Sequence, residues 1–309
     1  MTLITKKQSD AFYTLKGIAI FFVFFAHLPI STTNEYCTSL QYLFNFIGIV
    51  GVPIFMLLAG FFAWGSHSSF KKKLTTLIIP LLVWGTITYA LHCIKDSTKL
   101  SIISWLCWIY GCKTWLYFVP VLLWNTIMAR YINIYVCVAL GLLSILFTEL
   151  RYIPYNDFFT EFTNPFNFTI YYVLGLFIRR FDLQHFLEKK AMIITGTVIL
   201  IFYYIMQIRV SYFMFTCIPF CLSSYCLLYY ISSRIKGNSL ISIGKLSFAI
   251  YLSHIQIAGF VNSFFFKYST GVFESTKAII AFLFSFLFVY LVSILTKRYT
   301  IIHKALGFR

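Results

Sequence analysis

The chain has 309 residues, of which 60% are hydrophobic and 11% charged, and its mean hydropathy is +0.83. A soluble domain carries about 25% charged residues, so these values exclude one and predict an all-α, polytopic integral membrane protein in a lipid bilayer, with room for about ten spans of ~20 residues. The net charge of +16 does not mark a nucleic-acid partner, because the basic residues fall in short groups between apolar segments and follow topology instead.

Ten spans are predicted within a single domain, 1–309, at about 12–31, 41–64, 74–94, 114–129, 132–148, 166–180, 191–209, 211–231, 240–262 and 277–297. No small-residue cleavage site follows the first span, so it is expected to be retained. The apolar-aromatic run 101–112 reads as a re-entrant or interfacial helix. A polar loop, 149–166, separates the fifth and sixth spans. With the N-terminus in the cytoplasm, sixteen of the 25 Lys and Arg face inward. These are Lys6, Lys7, Lys71, Lys72, Lys73, Arg130, Arg179, Arg180, Lys189, Lys190, Arg234, Lys236, Lys297, Arg298, Lys304 and Arg309. Seven face outward: Lys95, Lys99, Lys113, Arg151, Arg209, Lys267 and Lys277. Lys16 and Lys245 remain in or near spans. This asymmetry predicts both termini in the cytoplasm. The eight cysteines form no C-x-x-C pair and no His/Cys metal spacing, so no metal site is expected. Cys217, Cys221 and Cys226 read as buried thiols.

Four runs carry candidate chemistry. The first span holds Lys16 and His27, eleven positions apart, or about 16 Å along a helix. Ionisable groups at membrane depth mark candidate functional sites. Lys16 near the cytoplasmic face suits an anionic ligand, and His27, about halfway across, suits a general base. The bland alternative is a snorkelling lysine and a hydrogen-bonded interhelical histidine. The second run spans 51–80. Ala59 and Gly60 permit close helix approach, and Lys71–Lys73 read either as phosphate ligands or as a topological stop signal. In the third, 114–120, Trp115 and Tyr117 form an interfacial belt or shape an acceptor pocket. In the fourth, 243–254, Ser247, Tyr251 and His254 share one helical face at i, i+4 and i+7. That polar stripe lines a cavity or links helices by hydrogen bonds. Ser247 and His254 lie two turns apart, too far for direct nucleophile–base contact on one straight helix.

Together these runs, in this order, resemble the membrane acyltransferase-3 family of integral carbohydrate O-acyltransferases, over most of the chain. The Arg/Lys-x10-His motif of the family's first span is matched by Lys16 and His27. Its Phe-x-x-Ser-Gly-Phe type motif is matched by Phe55 to Phe61, with Ala59 in place of Ser. Lys71 to Pro80 match a basic stretch leading to proline, and Trp115 to Phe118 a Trp-Phe-Leu-like motif. Gly244, Ser247, Tyr251, Leu252 and His254 match the C-terminal Gly-x-x-Ser-Phe/Tyr-x-x-Tyr-Leu-x-His motif. Two positions depart from the pattern. The family's basic stretch has two arginines three apart, where this chain has Lys73 and Thr76, and Lys16 stands for Arg. A lysine binds phosphate as a point charge without the guanidinium fork. The extra C-terminal soluble domain of some relatives is absent, so a minimal membrane form is expected.

The resemblance implies an O-acetyltransferase of the bacterial inner membrane. Its donor is acetyl-CoA, a substrate and not a permanently bound cofactor. Its acceptor is a sugar hydroxyl of a surface glycan, such as lipopolysaccharide, or of a lipid-linked precursor. Lys16, Lys72 and Lys73 are then expected to hold the anionic acyl-CoA. His27 would take the acceptor proton, and Trp115 and Tyr117 would shape the acceptor pocket. Ser247, Tyr251 and His254 are catalytic candidates, with Ser247, Tyr251 and Trp115 as possible oxyanion donors. Two rival classes are a flippase for lipid-linked sugar, which often shows inverted repeats, and a glycan polymerase, which usually needs a long outer loop. No convincing repeat pair and no such loop is present.

Overall fold

The computed structural model describes residues 4–28, 35–64, 70–112, 114–206, 208–235, 237–265 and 276–308. Lys113, Lys236, Lys267 and Arg309 of the charge count lie outside the described residues, as do positions 29–31 of the first predicted span. In chain order the α-helices are α1 (Lys6–His27), α2 (Glu35–Gly48), α3 (Gly51–Ala63), α4 (Phe70–Lys95) and α5 (Ile102–Tyr110). There follow α6 (Phe118–Tyr131), α7 (Ile134–Glu149), α8 (Thr169–Arg180), α9 (Gln184–Leu187) and α10 (Lys190–Ile205). The last four are α11 (Cys217–Ser232), α12 (Asn238–Phe265), α13 (Lys277–Thr296) and α14 (Thr300–Ala305). Short 3₁₀ turns precede α6 (Trp115–Tyr117) and α8 (Pro165–Phe168). No strand occurs among the described residues.

Five stretches are long and apolar enough to cross a membrane: Lys6–His27, Ser39–Ala63, Phe70–Lys95, Asn238–Phe265 and Lys277–Thr296. A sixth results if Ile102–Tyr110 and Trp115–Tyr131, bent by 62°, are one broken span or re-entrant loop. The apolar run at 101–112 is thus the first limb of that bend. Hydropathy marks four further segments, and these form α7, α8, α10 and α11, of 16, 12, 16 and 16 residues. At 1.5 Å per residue they reach roughly 18–24 Å, short of a ~30 Å hydrocarbon core.

A capping box starts α1: Thr5 Oγ1 accepts from the Gln8 amide at 3.2 Å, and Gln8 Oε1 accepts from the Thr5 amide at 3.1 Å. The helix therefore begins six residues before the hydropathic span and ends at His27. His27 stands at its C-terminal end, further along than the halfway position expected from sequence. α12 runs parallel to α1. Gly17 lies against Leu240 and Gly244, Gly244 meets the Tyr13 carbonyl, and Phe24 and His27 reach His254. At Gly244 any larger side chain would overlap the Tyr13 carbonyl. α3 crosses α8 in the same manner through Gly60 and Gly175, which face the carbonyls of Tyr172 and Leu57.

Helices α1 and α3 are central, and α13 is peripheral. Of the Lys277–Thr296 window only 28% is buried, against 61% for Ser39–Ala63, so α13 turns most of its Leu and Phe side chains outward to the lipid side. Phe265 at the end of α12 packs on Phe284 near the start of α13, and Gly307, beyond α13, lies against Phe248 of α12, which sets α13 antiparallel to α12. The start of α1 and the end of α13 thus lie at one end of the bundle. Basic groups collect at that end on aromatic faces. Lys16 Nζ is 4.9 Å from the Phe62 ring, Arg130 4.9 Å from Phe70, Arg179 5.2 Å from Phe61 and Arg180 5.3 Å from Trp64. Cys217, Cys221 and Cys226 are buried free thiols on α11.

Candidate active site

The parallel packing of α1 and α12 brings two histidines together. The rings of His27 and His254 lie 5.1 Å apart. His254 is wholly enclosed, with Phe24 edge-on at 5.5 Å, Tyr251 at 5.3 Å and Trp115 at 6.4 Å. Its Nδ1 bonds the Tyr251 carbonyl one helical turn back, and its Nε2 is buried without a hydrogen-bond partner. His27 is half-buried and opens onto a cavity of about 490 Å³.

The cavity wall opposite His27 is built from the bend between α5 and α6. Gly111, with φ of 96°, ends α5 in the left-handed region, where a side chain is disfavoured and would also meet the Tyr117 backbone. The chain then turns through Thr114, whose hydroxyl donates to the Trp108 carbonyl at 3.1 Å. This delivers Trp115 and Tyr117 to the cavity. The Tyr251 hydroxyl donates to the Trp115 carbonyl and ties the turn to α12. The Trp115 indole Nε1 is buried and, like His254 Nε2, has no hydrogen-bond partner among the described residues.

A third wall comes from the polar loop before α8. Asn167 Oδ1 accepts from Ser144 at 2.7 Å and from Thr148 at 3.1 Å, and Asn167 Nδ2 donates to the Glu161 carbonyl at 2.9 Å. Asn164 Nδ2 donates to Ser144 Oγ and to Tyr155 Oη. Buried amides are costly unless paired, and their pairing pins the loop so that Thr160 and Phe162 face the cavity. Phe162 packs on Tyr117 at 5.0 Å and on Tyr212 at 5.9 Å, and Tyr212 also lines the space. The cavity thus presents the rings of Trp115, Tyr117, Phe162 and Tyr212 beside a few convergent polar groups, as small-molecule sites generally do.

His27, Trp115 and Tyr117 line this space, and His254 and Tyr251 stand behind them, against His27 and Trp115. Ser247 is not among them. It is buried near the α1–α12 crossing, and its hydroxyl donates to the Gly244 carbonyl at 2.8 Å, so its proton is already committed. Tyr251 is likewise committed, to the Trp115 carbonyl, and it positions the turn instead of offering a proton. Lys16 stands eleven residues from His27 at the basic end, over Phe62 and over Tyr13 at 5.4 Å. Lys72 is exposed at the start of α4. Lys73 lies within electrostatic reach of Arg130. Sequence reasoning missed Thr160, Phe162 and Tyr212, which no local pattern marks. It also read Arg179 only as a topological charge. Arg179 is nine-tenths buried beside Phe61, and a pair of arginines closing an apolar run was the available signal. No group of metal-ligating side chains occurs among the described residues.

The acyltransferase 3 family model, described as an acyltransferase domain, matches residues 10–298. No curated protein and no solved structure matches the chain.

Proposed function

The chain belongs to the acyltransferase 3 family and is an acyltransferase, and from that premise we propose that it moves an acetyl group from cytoplasmic acetyl-CoA to a hydroxyl of a cell-surface polysaccharide or its lipid-linked precursor. The protein is multi-pass, and in this reading all ten apolar segments are embedded in a bacterial inner membrane with both termini in the cytoplasm. The observation that carries the reading is His27 on an aromatic-lined cavity, joined along α1 to a basic end. Aromatic faces suit the C–H faces of a sugar ring. The cations suit the phosphates of CoA, and the roughly 16 Å rise between Lys16 and His27 suits the pantetheine arm between phosphates and thioester.

In the transfer step His27 removes the proton of the acceptor hydroxyl as its oxygen attacks the thioester carbonyl. A C–O bond forms, and a tetrahedral oxyanion develops. The Trp115 indole N–H is the donor supported for that oxyanion, since the hydroxyl protons of Ser247 and Tyr251 are engaged elsewhere. The C–S bond then breaks. The thiolate of CoA takes the proton from the His27 imidazolium, so the products are acetyl ester and free CoA thiol.

Purified protein in nanodiscs is expected to release CoA thiol from acetyl-CoA when a suitable glycan is present. General-base loss costs about 10²- to 10⁴-fold, and His27→Ala is expected to lower transfer by that much while eluting as a folded monodisperse species. Transfer at the wild-type rate in that variant would remove His27 from the role.

A further inference from the structure

The transfer step uses His27 and leaves the second histidine without a task. His254 is fully enclosed and does not line the cavity, where His27 stands. It therefore does not meet an acceptor hydroxyl itself. Its Nδ1 lies on the Tyr251 carbonyl. A carbonyl oxygen only accepts, so in the neutral ring the proton sits on Nδ1 and Nε2 is a bare lone pair. That lone pair is buried and has no hydrogen-bond partner among the described residues, which is costly unless a donor reaches it.

Four rings surround His254. Phe24 carries no donor, and the Tyr251 hydroxyl proton goes to the Trp115 carbonyl. Trp115 crosses at 6.4 Å and has its own side on the cavity. His27, at 5.1 Å, is the nearest polar ring and belongs to the same cavity end of α1. We propose that His254 is a positioning residue for His27: in the reacting complex a small turn of the neighbouring His27 ring brings its N–H onto the unpartnered His254 Nε2, which holds that imidazole in the tautomer whose other nitrogen faces the cavity bare. As His27 takes the acceptor proton on its cavity-facing nitrogen, its other N–H goes on donating to His254 Nε2 and the imidazolium keeps its orientation. The carboxylate of a Ser-His-Asp triad does this work elsewhere. A neutral imidazole does it here without a buried anion, which is expensive at membrane depth.

The inference rests on the reading of His27 as base, and the two fail separately. The full chain in nanodiscs is assayed with acetyl-CoA and a panel of methyl glycosides, with thermal unfolding measured in parallel. His254→Phe keeps a ring and removes the acceptor nitrogen. It is expected to lower kcat about 10- to 100-fold, the range for losing the group behind a working imidazole, with KM for acetyl-CoA within about twofold. His254→Gln keeps a side-chain acceptor and is expected to recover at least about half of that loss on a logarithmic scale. Equal kcat in His254→Phe and wild type overturns the proposal, as does a folded His254→Gln that is no better than His254→Phe. Should His254→Phe not fold, a folded His254→Gln with kcat down more than about 100-fold still overturns it. If His27→Ala transfers normally, the base assignment fails first. If His27→Ala is dead and the His254 variants are normal, only the pairing fails.

Discussion

Three side chains, Trp115 and the α12 residues Ser247 and Tyr251, carry a proton that can stabilise an oxyanion, and their partners separate them. Ser247 donates to a carbonyl one turn back on its own helix, a common local bond for a helical serine. Tyr251 donates across 136 residues of sequence to Trp115. Only the Trp115 indole keeps its proton uncommitted among the three. Trp115→Phe preserves most of the ring and deletes the N–H. Removal of one oxyanion donor costs about 10²- to 10³-fold in kcat, and a loss of that size with KM for acetyl-CoA unchanged is expected from steady-state thiol-release kinetics. A loss carried by KM alone would make Trp115 a packing residue. At this scale the sequence brought the right residue types together but not their commitments. The face shared by Ser247, Tyr251 and His254 was legible from helical spacing. That the Tyr251 hydroxyl is occupied depends on the Trp115 carbonyl in another element, and no local pattern encodes that.

Helices α1 and α12 hold the site because two glycines let them touch. The Tyr13 carbonyl occupies the space where a Gly244 side chain would begin, and a Cβ added at Gly17 would stand only 2.8 Å from the Leu240 carbonyl oxygen. Without aqueous hydrophobic driving force inside a bilayer, such close packing is a main source of helix association. Gly244→Ala forces the helices apart and is expected to cost about 1–3 kcal/mol, read as a lowered unfolding temperature and a parallel fall in activity. Gly259, further along α12, has no neighbour within 4 Å of an added Cβ among the described residues. Gly259→Ala is therefore expected to be neutral or to stabilise by up to ~1 kcal/mol through helix propensity. Equal effects at the two glycines would mean that the crossing is not what matters. The long apolar stretches of the fold were legible from hydropathy, and so was the value of Gly60 as a small residue. The short helices were less so, since a segment such as α8 has apolar character without the length of a span. The Asn164–Asn167 network was not legible, because it joins a loop to α7 some twenty positions earlier and uses residues that read only as polar loop.

Viewed whole, the molecule separates two chemistries along one helix. The cavity end is aromatic and holds the histidines; the other end gathers cations on Tyr13, Phe61 and Phe62. The chain's charge asymmetry predicted that one end would be basic, and the side-chain contacts narrow the general bias to particular groups. Lys16 is half-buried between two rings, and Arg179 lies next to the adjacent Phe61. Exposed Lys72 contributes to the field of this end at a distance where salt screens it strongly. A partly buried cation is screened far less and holds a phosphate more firmly. Lys16→Ala is therefore expected to raise KM for acetyl-CoA about tenfold, equivalent to ~1.4 kcal/mol, with kcat changed less than about threefold because the group is remote from the reacting atoms. Lys16→Arg keeps the charge and adds a bidentate fork, so it is expected to restore or lower KM. The pair of variants distinguishes a donor anchor from a structural lysine. If Lys16 merely fills space between the rings, the Arg variant should be as impaired as Ala, and the loss should follow thermal stability instead of donor concentration.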